Sequence, residues 1–313
     1  MATKVGITGA SGFIGGALLA HLGSREDLEL VALTRTIAAA QPNAGDRIRW
    51  TQGDLASPHD AAAFVEGLDC IVHLAHTNTP LTSNRDLPSD ASMNLVPTLM
   101  LIEALRANAA TCHVVFASSG GAVYRGDGRQ APLTEEAALG PTTSYGIQKL
   151  AAEQYLRLAS DEGWLTATAL RIGNAYGALL RPERLQGFLG VAVAQLAAGQ
   201  PIRVFGDPGN VRDYVHLDDV CRALELALVP AHGYQVFNIG SGVGVSVTEL
   251  IELLGRVAGG LPVVEQQPPT RDAQRLPQWI VLDSAKAELE LGWSPSVSLD
   301  DGLRALWQEA QRA

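Results

Sequence analysis

Through the first half of the chain, short apolar runs alternate with segments whose apolar positions recur at helical spacing. The runs are Val5–Thr8, Leu30–Leu33, Ile48–Gln52, Cys70–Ala75, Val114–Ser118 and Thr168–Arg171. Between them lie Phe13–Leu22, His59–Glu66, Ser89–Arg106 and Ser144–Ala159. This alternation of strand and helix predicts an α/β fold with a doubly wound parallel sheet and helices on both faces. Ligands of such sheets bind beyond the carboxyl ends of the strands, so the residues that follow each strand are the ones to read for chemistry.

After about residue 172 the rhythm changes. The pattern predicts a helix over Glu183–Ala198, strands at Ile202–Phe205 and Arg212–His216, a helix over Leu217–Leu228 and a strand at Gln235–Ile239. A helix over Val247–Val257 follows. Then come a Pro/Gln-rich loop at Glu265–Pro269, a strand at Ile280–Leu282 and a last helix from Leu299. This half reads as a smaller, mixed α/β domain laid over the sheet, with some segments returning to it.

Composition narrows the classes. The 313 residues are 47% apolar and 18% charged, ample for a buried core and unlike a disordered chain. The net charge is −10 with no basic run, which argues against nucleic acid as a partner. Cys70, Cys112 and Cys221 are odd in number and far apart, so no disulfide framework is expected and a reducing compartment is. His73 and His76 are read as ending a strand, where a spacing of three sets them on opposite faces, and no metal site is expected. No signal-like segment precedes the first strand, and the weakly polar stretch Gly187–Gly199 is too short to span a bilayer. The expectation is a cytoplasmic protein with no membrane association.

The first motif is Gly9-Ala-Ser-Gly12-Phe-Ile-Gly15, directly after a strand and opening a helix. Gly9 permits the tight turn, Gly12 lets backbone approach a pyrophosphate at the helix N-terminus, and Gly15 lets the helix pack closely. This predicts dinucleotide binding. The second strand ends in Thr34-Arg35 rather than in an acidic residue. A guanidinium there suits a ribose 2′-phosphate, so the cofactor is NAD or NADP, with Arg35 favouring NADP. Asp54, in Gly53-Asp54-Leu55 after the third strand, is placed to reach the adenine amino group.

The second motif is Tyr145 and Lys149, four apart and so on one helix face. A nearby ammonium and an oxidised nicotinamide both stabilise a phenolate, which suits Tyr145 as general base on a substrate hydroxyl.

With these motifs in place, the sequence resembles the extended short-chain dehydrogenase/reductase family, in its NAD-dependent epimerase/dehydratase branch of nucleotide-sugar enzymes. The resemblance runs through Thr8–Gly15, Asp69–Ala75, Asn94–Thr98, Ser118–Tyr124, Ser144–Lys149, Leu170–Gly177, Val211–Val220, Phe237–Gly242 and Leu291–Trp293. It implies a Rossmann sheet over residues 1–172, with returning segments near 214–239, as the dinucleotide-binding domain. Residues 173–213 and 240–313 would form the substrate-binding domain. Tyr145 becomes the catalytic base and Lys149 the holder of the nicotinamide ribose. Ser11, Phe13, Ile14, Leu55, Leu74, Ala75 and Asn94 join the glycines, Arg35 and Asp54 as cofactor contacts.

On the substrate side, the resemblance assigns Asn174 and Arg212 to the diphosphate, Val204 and Phe205 to the base pocket, and Arg271 or Arg275 to a second clamp. The family places Ser or Thr four residues before the Tyr of its VYG element. Counted back from Tyr124 that position is Gly120, with Ser119 the adjacent replacement and Ser118 the next. Gly121 and Ala122 stand where 4,6-dehydratases carry an acidic pair, and neither can shuttle protons, which argues against dehydration.

The leading expectation is a nucleotide-sugar 4-epimerase acting through a transient 4-keto sugar. The second is an NADPH-dependent reductase of a 4-keto nucleotide sugar, with Tyr145 donating the proton. A catalytically silent dinucleotide sensor would be expected to lose the Tyr–Lys pair, and here both are intact. The helices Ser89–Arg106 and Ser144–Ala159 are candidates for a homodimer face.

Overall fold

The computed structural model describes residues 2–37, 48–108, 111–126, 128, 131–180, 187–230, 232–268 and 276–312. Its large layer is a seven-stranded parallel sheet built from β1 (Thr3–Thr8), β2 (Leu28–Thr34), β3 (Ile48–Gln52), β4 (Cys70–His73), β5 (His113–Ser119), β6 (Thr166–Ile172) and β10 (Tyr234–Ile239). The order across the sheet is β10-β6-β5-β4-β1-β2-β3. The strand order reverses between β1 and β4, which opens a crevice at their carboxyl ends.

Both faces of the sheet are buried, so its strands read as continuous apolar runs. On one face, α1 (Phe13–Leu22) and α7 (Leu217–Leu226) pack with Val5, Ile7, Leu18, Leu224 and Trp293 in a single core. On the other, α2 (Pro58–Val65), α3 (Leu87–Ala107) and α5 (Ser144–Asp161) cover Phe64, Ile71, Leu101 and Leu156. A one-turn helix, α4 (Gly120–Val123), follows β5 directly.

The smaller layer holds β7 (Asn174–Tyr176), β9 (Val211–His216), β11 (Gly244–Ser246) and β13 (Trp279–Ile280) in one sheet, with β7, β11 and β13 all pairing with β9. A parallel pair, β8 (Ile202–Phe205) and β12 (Val264–Gln267), stands apart. Helices α6 (Phe188–Ala197) and α8 (Val247–Ala258) and the final helix Leu299–Ala310 enclose a third core around Leu189, Leu250 and Leu303. β9 stays in this layer to its end at His216, and the chain rejoins the large sheet through α7 and β10.

Several expectations are corrected. The run Cys70–Ala75 stops being strand at His73, because Leu74 and Ala75 bend to give their amides to the Thr8 hydroxyl. The Pro/Gln-rich segment is not a loop at its start, since Val264–Gln267 pairs with β8. The last strand is shifted to Trp279–Ile280. Helix α6 begins at Phe188, after Gly187 in a left-handed conformation, and 183–186 lie outside the described residues. His76 lies beyond the strand, and His73 is buried between the hydroxyls of Thr8 and Thr98 at 2.8 and 2.9 Å. No cluster of His, Cys, Asp or Glu fit to hold a metal occurs among the described residues.

Candidate active site

The glycine loop sits at the carboxyl end of β1. Gly9 has a φ of 67°, and a Cβ there would lie 2.7 Å from the Ala75 amide nitrogen. A Cβ on Gly15 would lie 2.2 Å from the Gly9 carbonyl oxygen, so only glycine lets α1 close on the turn. Helix α1 has no side-chain N-cap and no acidic residue in its first turn. Its first-turn amides and positive dipole end therefore face the crevice free for an anion. A bare-backbone cradle of this kind fits a dinucleotide pyrophosphate, with Gly12 at the helix start.

The other expected cofactor residues ring this loop. Ser11 is exposed, Phe13 and Ile14 are half-buried, and Leu74 and Ala75 lie against Gly9. Arg35 is exposed just past β2, and Asp54 is exposed with one carboxylate oxygen accepting from the Ala56 amide. Leu55 is buried beneath it. Asn94 is buried with its amide group occupied. Its oxygen accepts from Thr77 and its nitrogen donates to Asp90, so it shapes the segment after β4.

Tyr145 and Lys149 lie on the face of α5 that covers the end of β5. The Ser119 side chain stands close enough to the Tyr145 hydroxyl to influence its ionisation. Lys149 Nζ donates to the Ala117 carbonyl at 2.7 Å and lies 4.7 Å from the Phe116 ring centre. Burial raises the Tyr145 phenol, and the nearby Ser119 hydroxyl works against that rise. Burial likewise lowers Lys149 to about 7, with the nearby Glu153 carboxylate opposing. From the sequence, Lys149 and an oxidised nicotinamide were expected to lower the phenol; within the protein alone burial sets the direction, and Ser119 is the group that opposes it.

The start of α5 is held from two sides. Ser83 Oγ accepts from the Tyr145 amide at 3.0 Å, and Asn84 Oδ1 accepts from the Ser144 amide at 2.8 Å. Sequence reasoning missed these residues, as it missed His76, whose ring meets Tyr145 edge-on at 4.7 Å. They lie in a segment with no local motif.

Two hydroxyl assignments separate. Ser119 faces Tyr145, as expected for the stand-in at Gly120. Ser118 is turned the other way, against expectation: its hydroxyl donates to Glu153 beneath the site, because successive strand residues alternate faces. A Cβ on Gly120 would point at Leu282, 2.5 Å from its Cδ1, and not into the site. A Cβ on Gly121 would meet the Asn174 side-chain oxygen at 3.3 Å and the Ser119 hydroxyl oxygen at 3.9 Å. Asn174 is thus brought beside Ser119, and its side chain also lies near enough to the Tyr214 hydroxyl to oppose the rise that burial gives that phenol.

Arg212 lies on β9, half-buried, with Nη1 donating to the carbonyls of Val211 and Gln278 at 2.7 and 3.3 Å. It has no carboxylate partner among the described residues, and burial disfavours its charge. Val204 does not line an open pocket, contrary to expectation: it is 1% exposed within the small-layer core, while its neighbour Phe205 is 49% exposed. Arg271 and Arg275 lie outside the described residues.

A family model described as the NAD dependent epimerase/dehydratase family matches residues 5–240. A UDP-glucose 4-epimerase of Mycolicibacterium smegmatis is 32% identical over 303 residues, covering 95% of each chain. A dTDP-4-dehydro-6-deoxyglucose reductase of Escherichia coli is 30% identical over 308 residues, covering 96% of this chain and 95% of its own. The crystal structure of a Thermus thermophilus UDP-glucose 4-epimerase in complex with NAD superposes with a TM-score of 0.90 at 28% identity, covering 99% of this chain and 100% of that one.

Proposed function

The chain belongs to the NAD dependent epimerase/dehydratase family, and from that premise we propose that it is a nucleotide-sugar 4-epimerase. The observation that carries this reading is the Tyr145 phenol beside Ser119 at the end of β5, with Lys149 one turn along the same helix fixed to the Ala117 carbonyl. A bound nicotinamide dinucleotide would supply hydride acceptance from, and return to, sugar carbon 4. Gly9, Gly12 and Gly15 would hold its pyrophosphate.

In this reading Tyr145 takes the proton of the C4 hydroxyl and later gives it back to the oxygen of the transient 4-keto sugar. Ser119 hydrogen-bonds the same oxygen and keeps it over the phenol. Asn174 and Arg212 hold the diphosphate, so that the sugar can turn while its anchor stays fixed. The large layer carries the dinucleotide and the small layer the nucleotide sugar.

Arg35 supports a second reading, an NADPH-dependent 4-keto nucleotide-sugar reductase. It is an exposed cation just past β2, and a guanidinium there suits a 2′-phosphate. The relative from Escherichia coli is named for a reduction of this kind. The two readings part on one experiment. The purified protein is denatured, its released dinucleotide identified by mass spectrometry, and a UDP-hexose incubated with the native protein without added cofactor. Resident NAD with inversion at C4 supports the epimerase; an empty site with NADPH consumed on a 4-keto substrate overturns it.

We further propose a homodimer. Met93 and Val96 on α3 and Ile147, Tyr155 and Leu158 on α5 are exposed apolar side chains on two adjacent helices. The three buried, unpaired cysteines suit a reducing compartment such as the cytoplasm. No helix among the described residues is long and apolar enough to cross a membrane.

A further inference from the structure

Three consecutive residues at the end of β5 each meet one member of a single stripe on α5. The Ala117 carbonyl accepts from Lys149, the Ser118 hydroxyl donates to Glu153, and the Ser119 hydroxyl stands beside Tyr145. Tyr145, Lys149 and Glu153 are spaced four apart, so they lie along one face of the helix. Side chains alternate along the strand, so the Ser118 link passes beneath the site while Ser119 faces it, and the Ala117 link is made by the backbone.

The middle link is the most deeply anchored. Glu153 is 1% exposed and also accepts from Arg171 of β6, with Nη2 at 2.8 Å and Nε at 3.2 Å. Arg171 is the register partner of Ser118 across the sheet. Its Nη1 donates to the Tyr124 hydroxyl and to the Glu135 carbonyl, each at 3.0 Å. The Tyr124 hydroxyl in turn donates to Asn238 Oδ1 of β10 at 2.7 Å. A buried polar chain therefore runs from the sheet edge to the residue adjoining Ser119.

We propose that Ser118 and Glu153 are positioning residues for the reaction, fixing the register of α5 on β5 and so seating Tyr145 on Ser119. Neither reaches the substrate side; they act through their neighbours. A shift of α5 by a fraction of a helical turn would part Tyr145 from Ser119 while leaving Arg212 and the glycine loop in place. The groups around Glu153 are Ser118 of β5, Arg171 of β6, Lys149 on its own helix, and Tyr234 of β10. Glu153 is the anion that favours the charged form of Lys149. This inference rests on the reading of Tyr145 as the acid–base group.

The test uses the purified holoprotein with Ser118→Ala, Ser118→Thr and Glu153→Gln, and Tyr145→Phe as control. Ser118→Ala keeps the ion pair and so avoids leaving Arg171 uncompensated. It is expected to lower kcat by about 10- to 100-fold with KM for the nucleotide sugar unchanged. An ultraviolet difference titration against Tyr145→Phe is expected to place the Tyr145 phenol at higher pH, because the Ser119 hydroxyl that lowers it has moved away. Ser118→Thr, which retains the hydroxyl, is expected to restore both. Glu153→Gln, where it folds, is expected to move the alkaline limb of the pH profile down by about one unit as Lys149 loses its proton earlier.

A fall in melting temperature with kcat, KM and the phenol titration all at wild-type values would overturn the proposal and leave Ser118 purely structural. Wild-type turnover in Tyr145→Phe would instead sink the assignment of the base. The phenol titration needs no turnover, so it decides the positioning role separately.

Discussion

Arg212 and Asp213 are adjacent on β9, yet they occupy opposite sides of the strand and do not pair. Asp213 is buried and accepts from the Ser241 amide and hydroxyl at 2.7 and 2.6 Å and from the amides of Gly242 and Leu282 at 3.1 Å. Arg212 is left with two carbonyls and no carboxylate among the described residues. A half-buried guanidinium kept free of its nearest anion is suited to a ligand's anion. Arg212→Ala is expected to weaken binding of a nucleoside diphosphate about 10- to 100-fold, by calorimetry, with kcat much less affected. Unchanged affinity would remove Arg212 from the site.

Tyr145→Phe is expected to lower turnover by at least about 100-fold while dinucleotide binding persists. Ser119→Ala is expected to cost less and to move the acidic limb of the pH profile upward, since the Ser119 hydroxyl lowers the phenol. Steady-state kinetics over a pH series reads both. Equal activity of wild type and Tyr145→Phe would refute the assigned base.

Gly120 is a packing position. Its Cβ would lie 2.5 Å from Leu282 Cδ1 and 3.1 Å from the Arg171 carbonyl oxygen. Gly120→Ser is expected to destabilise by about 1–3 kcal/mol through overpacking and to leave kcat no higher. A gain in turnover would show that the hydroxyl reaches the sugar after all.

Two buried histidines set an acid limit to stability. Burial lowers His73 to about 3 and His113 to about 4. The unfolded chain takes up these protons near pH 6.5, while the native protein does not until far lower. Below about pH 6.5 the unfolded state therefore binds more protons, and stability falls as pH falls, by about 1.4 kcal/mol per unit for each histidine. Urea unfolding at a series of pH values should show this slope. His113→Gln should flatten it, and a stability independent of pH across that window would contradict the burial of neutral imidazoles.

Ile147 and Leu158 are 55% and 49% exposed on α5. The double variant Ile147→Glu, Leu158→Glu is expected to convert a dimer to a monomer in sedimentation velocity, with the melting curve little changed. A monomeric wild type would end the homodimer proposal.

What was legible in the sequence was local. The glycine loop and the Tyr145–Lys149 spacing are written in short segments, and each lies where its motif placed it. The large-layer strands were legible because burial on both faces gives them unbroken apolar runs. The choice between Ser118 and Ser119 was not, since it depends on which face of β5 meets α5. Val204 was misplaced for the same reason, because alternation along β8 turns Ile202 and Val204 inward and Phe205 outward. β12 was missed because Val264–Gln267 is mostly polar and exposed, and its strand character comes only from pairing with β8. Ser83 and His76 reach Tyr145, and Asn84 reaches Ser144, from far along the chain, and no spacing announces them.

The pairing of β10 with β6 also bears on how the molecule is made. β6 ends at Ile172, and its neighbour begins only at Tyr234, after the chain has passed through much of the small layer. On a ribosome, the first six strands can assemble while β6 still offers an open row of backbone donors and acceptors. Such an edge is an invitation to pair with another chain. The nascent protein thus carries an aggregation-prone border until β10 emerges, and a gene fragment stopped after β6 would keep that border for good.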